Sequence, residues 1–379
     1  MKKILCITGT RADFGKMKPL LNHLEQSPLF ELHLLVTGMH MLKIYGSTHL
    51  EVRKVGYKNC YLVSNQSQGE AMSAVLGNTI TLLSRLNDEI EPDLILVHGD
   101  RIEALAGTIV GALSNRLVCH IEGGELSGTI DDAIRHAISK MAHIHLVANE
   151  EAQNRLLQMG EQATHIHIIG SPDLDVMRSD KLPELSAVKQ HYGIDFDDYI
   201  ISMFHPVTTE VAQIADYTAQ YFQALKRSGE NVVAIYPNND LGNDAIIREL
   251  QTIQQSNNPR FKIFPSIRFE AFLTLLKHAK MMTGNSSAGI REAPFYGVPS
   301  VDVGTRQSNR HRAASIIHCD YHTEAVLSAV KQANQASFRQ PDAAFAAQQS
   351  DSTTLFAQLL QSPNFWQTPI QKTFCDLTL

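Results

Sequence analysis

The chain has 379 residues, 44% hydrophobic and 19% charged, with a formal net charge of −6. That length predicts two domains rather than a single core, and the composition is that of a soluble globular protein. The acidic balance excludes nucleic acid as the main partner, so an anionic ligand needs a locally built positive pocket.

No run nears the ~18 apolar residues of a membrane span. MKKILCITGT reads as a first strand rather than a signal peptide, so a cytoplasmic protein with no membrane partner is expected. The five cysteines, Cys6, Cys60, Cys119, Cys319 and Cys375, are odd in number and lack CxxC or Cys/His ligand spacing. They fit buried thiols in a reducing compartment, and no metal is expected.

In chain order, residues 3–8 predict a strand, followed by the loop GTRADFG and a helix over about 16–26. The loop carries Gly9 and Gly15 with Arg11 between them, not the G-x-G-x-x-G spacing, so no nicotinamide cofactor is expected. A Gly-rich strand-to-helix turn bearing an arginine still suits a phosphate, through backbone N–H groups, helix dipole and guanidinium. The alternative for Arg11 is a surface salt bridge. Strands at 31–37 and 61–64 flank the loop GMHMLKIYG, and apolar spacing predicts a helix over about 70–87.

The stretch from Leu94 to His136 carries the densest chemistry. Two apolar runs, 94–97 and 117–121, read as buried parallel strands. Each ends in acid: Asp100 after the first, Glu122 and Glu125 after the second, with Asp131 and Asp132 opening the next helix. Ligands of open α/β sheets bind outside the carboxyl ends of the strands. Asp100, Glu122 and Asp131 are therefore expected at one crevice, with His98, His120 and His136 nearby. Helix capping is the alternative, and it accounts for one or two of these acids but not for acids at two adjacent strand tips.

A strand at 143–148, a helix at 150–159 and a strand at 165–169 complete the first half. Gly170-Ser171-Pro172-Asp173 marks a boundary, giving domains at 1–171 and 172–362, with the apolar tail 363–379 packing back on the first. Strands at 199–204, 232–236, 261–264, 280–283 and 300–303 alternate with helices at about 210–228, 244–255, 269–278 and 288–295. The Gln/Ala/Ser-rich stretch 332–350 is expected as exposed helix and loop. The fold class is α/β, two Rossmann-like domains facing a central cleft.

In the second half, TGNSS ends a strand and leads into AGIREAP. Asn285, Ser286 and Ser287 are natural N-caps whose open backbone N–H groups suit a diphosphate. Glu292, one turn into the expected helix, can accept two hydroxyls of a sugar diol. The alternative is a capping box with no ligand. Gly304-Thr305-Arg306-Gln307 at the next strand tip turns the balance toward a nucleotide-sugar site. His205, at the end of the strand in Phe204-His205-Pro206, is placed to donate to a phosphate.

Together CITGTRADFGKMKPLL, HGDR at 98–101, HIEGGELSGTIDDAIRH, FHPVT at 204–208 and GNSSAGIREAPFYGVPSVDVGTRQ resemble the hydrolysing UDP-N-acetylglucosamine 2-epimerases of bacterial sialic acid synthesis. The resemblance runs over essentially the whole chain. It implies a glycosyltransferase-B type fold in which the second domain holds UDP. It implies catalytic roles for Asp100, Glu122 and Asp131. Substrate contacts are implied for Arg11, His205, Ser286, Ser287, Glu292 and Arg306, with Lys16, Arg101, Asn238 and Asn285 as further candidates. Non-hydrolysing relatives have an HVEAGLRTG-like segment where this chain has HIEGGELSGTIDD.

The implied reaction converts UDP-N-acetylglucosamine and water to N-acetylmannosamine and UDP, without a cofactor. The C2 hydrogen is not α to a carbonyl, so expulsion of UDP must acidify it, giving 2-acetamidoglucal that water then hydrates. Clustered carboxylates serve such acid–base work, and cationic and amide groups stabilise the leaving diphosphate. The competing readings are a non-hydrolysing epimerase, a glycosyltransferase of the same architecture and a non-catalytic nucleotide-sugar sensor. A homodimer or homotetramer is expected.

Overall fold

Short apolar runs punctuated by glycine and acid build two parallel sheets, with helices on their faces as parallel strands require. The structure is a computed structural model and describes residues 1–308, 310, 313–342 and 351–376. It divides into two compact units. One comprises Met1–Leu126, Ile130–Arg178 and Ser350–Leu379, the other Ser127–Thr129 and Ser179–Gln349.

The first unit contains β1 (Lys2–Thr8), β2 (Phe30–Val36), β3 (Asn59–Leu62), β4 (Leu94–His98), β5 (Leu117–Ile121), β6 (Ile144–Val147) and β7 (Ile166–Ile168). Its helices are α1 (Arg11–Gln26), α2 (His49–Val55), α3 (Met72–Ile90), α4 (Ile102–Leu113), α5 (Ile130–Met141), α6 (Glu150–Gln158) and α7 (Pro172–Met177). The sheet order is β3-β2-β1-β4-β5-β6-β7, all parallel, with Ile4 opposite both Leu32 and Leu94. The direction of winding reverses between β1 and β4, where such folds open a ligand crevice.

Alternate residues of each strand serve opposite faces. Ile4 and Cys6 join Leu20, Leu24 and Leu96 on one side, while Leu5 and Ile7 join Val97, Val110 and Ile138 on the other. Helix α4 lies close against the sheet because a Cβ on Gly107 or Gly111 would fall 2.3 Å from Ile7 or 2.4 Å from Val118.

The second unit contains β8 (Ile200–Met203), β9 (Val232–Ile235), β10 (Phe261–Phe264), β11 (Met282–Gly284), β12 (Ser300–Val303) and β13 (Ile316–Cys319). Its helices are α8 (Leu185–Tyr192), α9 (Ile214–Ser228), α10 (Asn243–Gln255), α11 (Phe269–His278), α12 (Glu292–Phe295) and α13 (Thr323–Ala333). The order β10-β9-β8-β11-β12-β13 repeats the first unit's winding, with the reversal between β8 and β11. Elements β13 and α8 have no counterpart in the sequence reading, nor does α13 up to Lys331.

Helices α14 (Ser352–Gln361) and α15 (Pro363–Trp366) belong to the first unit, where Phe356, Leu360 and Phe365 enter its core. Of the stretch 332–350, residues 332–333 end α13, with Ala333 buried, and a short turn spans Ala336–Phe338, while 343–350 lie outside the described residues. The end of the tail, 377–379, lies outside them too. Among the described residues no helix is long and apolar enough to cross a membrane.

Two local expectations are corrected. Helix α1 starts at Arg11 rather than near Lys16, because the Thr10 hydroxyl accepts the Asp13 N–H at 3.1 Å and caps it early. The helix expected over 288–295 is instead a turn at Ser287–Gly289 and a four-residue helix, α12. Ile290 and Arg291 separate the two pieces, so the dipole of a long helix is not available there.

Candidate functional site

In the first unit the winding reversal brings the tips of β1, β4 and β5 together. His98 ends β4, and Gly99, at φ +74°, turns the chain toward Asp100. His120 of β5 holds that turn: its Nε2–H donates to the Gly99 carbonyl at 2.8 Å, and its Nδ1 accepts from the Ser139 hydroxyl at 3.1 Å. Burial pushes this ring down to about 3, so it is neutral.

Glu122, one residue past β5, is a non-glycine residue in the left-handed region, at φ +64°. That conformation costs roughly 1 kcal/mol and marks a position over-determined by its surroundings. The surroundings are specific. Its N–H donates to Leu146 at 3.0 Å, and its carboxylate accepts from the Ser171 hydroxyl at 2.7 Å. The other carboxylate oxygen lies 3.3 Å from His98 Nε2, in ion-pair rather than hydrogen-bond geometry.

His98 Nδ1 in turn lies 2.7 Å from Asp13 on α1, whose second oxygen accepts the Gly9 N–H at 3.2 Å. Burial opposes a charged ring at His98, but the Glu122 and Asp13 carboxylates outweigh it and push the imidazole up to about 10. Arg135, 3% exposed on α5, donates to the Glu122 carbonyl and pairs with the Asp100 carboxylate. Asp131 is buried one turn earlier on the same helix, the i, i+4 position that shares Arg135's face. The Asp100 carboxylate and the Glu122 backbone carbonyl are thus bound to one guanidinium, with Asp131 on the helix that supplies it.

The basic candidates of this unit are held by acids. Arg11 pairs with Glu51, and Lys16 lies 3.0 Å from the fully buried Asp173. Arg101 immediately precedes α4, its charge facing the buried Glu103. His136 stands beside Asp132 at 3.6 Å on the more exposed side of α5.

The second unit builds its site at its own winding reversal. Asn285, fully buried after β11, accepts the His205 N–H at 2.6 Å and donates to the His205 carbonyl at 2.9 Å. Gly284 precedes it at φ +123°, and a Cβ there would fall 2.0 Å from the Met203 oxygen. The strand tips of β8 and β11 are therefore tied at backbone distance. The Asn238 N–H donates to His205 Nδ1 at 3.0 Å, which leaves the ring proton on Nε2 as a donor.

The Asn285 carbonyl accepts from Gln307 at 2.8 Å and Arg306 at 3.4 Å, fixing the loop after β12. Glu210 fastens the same loop, accepting from Thr305 at 2.5 Å and Tyr321 at 2.7 Å. The Ser286 hydroxyl accepts the Ala288 N–H at 3.3 Å, half-buried Ser287 opens the turn, and Glu292, 2% exposed, is the first residue of α12. Here His205, Asn238, Asn285 and Arg306 are joined in one network beside the Ser286 and Ser287 turn. Replacing Asn285 with Ala strips two loops of their shared anchor. It is expected to cost about 2 kcal/mol, read by calorimetry as a lower melting temperature.

Sequence reasoning did not single out Asp13, Arg135, Ser171, Gln307 or Glu210. Arg135 was visible only as the i+4 neighbour of Asp131, and Ser171 only as part of a turn. Among the described residues no group of three or more His, Cys, Asp or Glu side chains is arranged to hold a metal ion.

The family profile described as UDP-N-acetylglucosamine 2-epimerase matches residues 22–354. A UDP-N-acetylglucosamine 2-epimerase of Neisseria meningitidis serogroup B is 62% identical over 380 residues, covering 100% of both chains. The UDP-N,N'-diacetylbacillosamine 2-epimerase (hydrolyzing) of Legionella pneumophila is 34% identical over 337 residues, 88% of this chain and 89% of that one. Among solved structures, UDP-GlcNAc 2-epimerase from Neisseria meningitidis bound to UDP-GlcNAc superposes with a TM-score of 0.76 at 16% identity, covering 94% and 99% of the two chains. What is shared with that structure is the fold, two parallel-sheet α/β domains of the glycosyltransferase-B type.

Proposed function

The chain belongs to the UDP-N-acetylglucosamine 2-epimerase family, and from that premise we propose that it works in the hydrolysing mode, releasing N-acetylmannosamine and UDP from UDP-N-acetylglucosamine and water. The free sugar would enter sialic acid synthesis. The observation that carries the reading is the acid cluster of the first unit, half-buried Asp100 on Arg135 and buried Glu122 between Ser171 and His98. The relative named as hydrolyzing and the HIEGGELSGTIDD segment favour the hydrolytic branch.

In this reading the second unit holds the nucleotide. The His205 Nε2–H, the Arg306 guanidinium and the Ser286 and Ser287 turn meet the diphosphate, and Glu292 takes sugar hydroxyls. As the C1–O bond breaks, its electron pair leaves on UDP and positive charge at C1 acidifies C2–H. A carboxylate of the first unit accepts that proton while the C–H pair becomes the C1=C2 double bond of 2-acetamidoglucal. Water then adds, hydroxyl to C1 and proton to C2 from the opposite face, with Asp100 and Asp131 as the remaining acids.

Incubation with UDP-N-acetylglucosamine in D2O, followed by NMR, tests the proposal. Free N-acetylmannosamine deuterated at C2, together with UDP, is the expected result. UDP-N-acetylmannosamine would mark a non-hydrolysing enzyme, and a gluco sugar passed to an acceptor would mark a transferase.

A further inference from the structure

The Asp13–His98–Glu122 row is wholly inside the first unit, and two of its members carry no role in the reading above. Each nitrogen of the His98 ring faces a carboxylate oxygen, Asp13 at 2.7 Å and Glu122 at 3.3 Å. Carboxylates only accept. A neutral imidazole would point one lone pair at one of these oxygens, a repulsive arrangement in a site where His98 is 9% and Glu122 5% exposed. The contacts behind the row favour the ionised acids. Asp13's second oxygen accepts the Gly9 N–H, and Glu122's accepts the Ser171 hydroxyl. With two anions and a doubly protonated ring between them, no lone pair of the ring faces a carboxylate oxygen.

We propose that His98 is a positioning residue which, held by Asp13, stands as a fixed cation against Glu122 and thereby makes Glu122 the base that takes the C2 proton. This rests on the epimerase reading and deepens it by dividing the labour among the acids. Asp100, held by Arg135, is left for the hydration step with Asp131. Proton transfer to Glu122 breaks C2–H as the C1–O pair departs on UDP, so the acid gained at Glu122 is balanced by the anion released. The cation beside Glu122 keeps its carboxylate ready at neutral pH, and Ser171 fixes the oxygen that His98 does not face.

Charged and titratable groups face the row from several elements. Asp13 from α1 also faces His40 and Glu103. Arg135 of α5 donates to the Glu122 backbone carbonyl, and His120 of β5 faces His98 and Arg135.

The test has two arms on the full-length chain. In histidine-15N-labelled protein, with His98→Gln used to assign the signal, both ring nitrogens of His98 are expected to be protonated across neutral pH. In kinetics, His98→Gln is expected to lower kcat by about a hundredfold or more while KM changes by less than about threefold. The acid limb of its kcat/KM profile should move up by about one pH unit or more, because an opposite charge within reach lowers a carboxylate by that order. A neutral His98 ring in the wild type, or a variant whose acid limb stays in place, overturns the proposal. If the wild type does not turn over UDP-N-acetylglucosamine, the activity reading falls, and the ring nitrogens still decide the state of His98 by themselves.

Discussion

Asp100→Asn is expected to lower kcat by roughly a thousandfold while UDP binds within about twofold of the wild type. The amide fills the same space and can still accept one hydrogen bond from Arg135, so the tie between β4 and α5 survives. What disappears is the ability to exchange a proton, and with it the negative charge that balances the buried guanidinium. Single-turnover rates and calorimetric titration with UDP separate the two effects. Because nucleotide binding is assigned to the second unit, an undiminished UDP affinity accompanies the kinetic loss. Near-wild-type release of N-acetylmannosamine by this variant would remove Asp100 from the mechanism.

A second large effect is expected far from any reacting atom. Glu161, 4% exposed, accepts from His145 at 3.0 Å and from Lys140 at 3.1 Å, and it pairs with Lys372 of the tail. Lys372 also donates to the carbonyls of Ala142 at 2.7 Å and Ser139 at 3.1 Å, the free end of α5. Burial disfavours the Glu161 charge, yet these partners bring its carboxyl from 4.5 down to about 2. Glu161→Gln removes the buried anion that holds half-buried Lys372, Lys140 and His145 together, and is expected to cost about 3 kcal/mol across the network. In a domain of this size that is a fall of roughly 6–12 °C in Tm.

The pH dependence has a definite sign. The folded value lies below the unfolded one, so the contribution is complete above about 4.5 and is lost as pH falls from there through about 2. Melting curves of wild type and variant should therefore converge on acidification. A gap that stays constant down to pH 2 would show that the loss is packing and not charge.

All strands but β13, and their parallel arrangement, were legible because they are short apolar runs alternating with helical segments. Residues 117–121 and 300–303 match the observed β5 and β12 to the residue. Acids at neighbouring strand tips were legible for the same reason, since chain order fixes which end of a parallel strand carries the loop. The helix start at Thr10 was hidden by the glycines around it, and α12 was hidden by a small-residue run that reads as helix but breaks at Ile290 and Arg291. The partners of the acids were out of reach altogether. Asp13 meets His98 across 85 positions and Ser171 meets Glu122 across 49, contacts set by strand order and not by local spacing. The pairing of Arg11 with Glu51 belongs to the same class, the salt bridge that spacing left as an alternative to phosphate.

The chain leaves the first unit at Arg178 and re-enters it at Ser350. On the ribosome this ordering has a cost in time. Phe356, Leu360, Phe365 and Lys372 are translated only after the whole intervening segment, so the core of the unit bearing Asp100 and Glu122 is completed later than that segment, whose own strands are contiguous in translation.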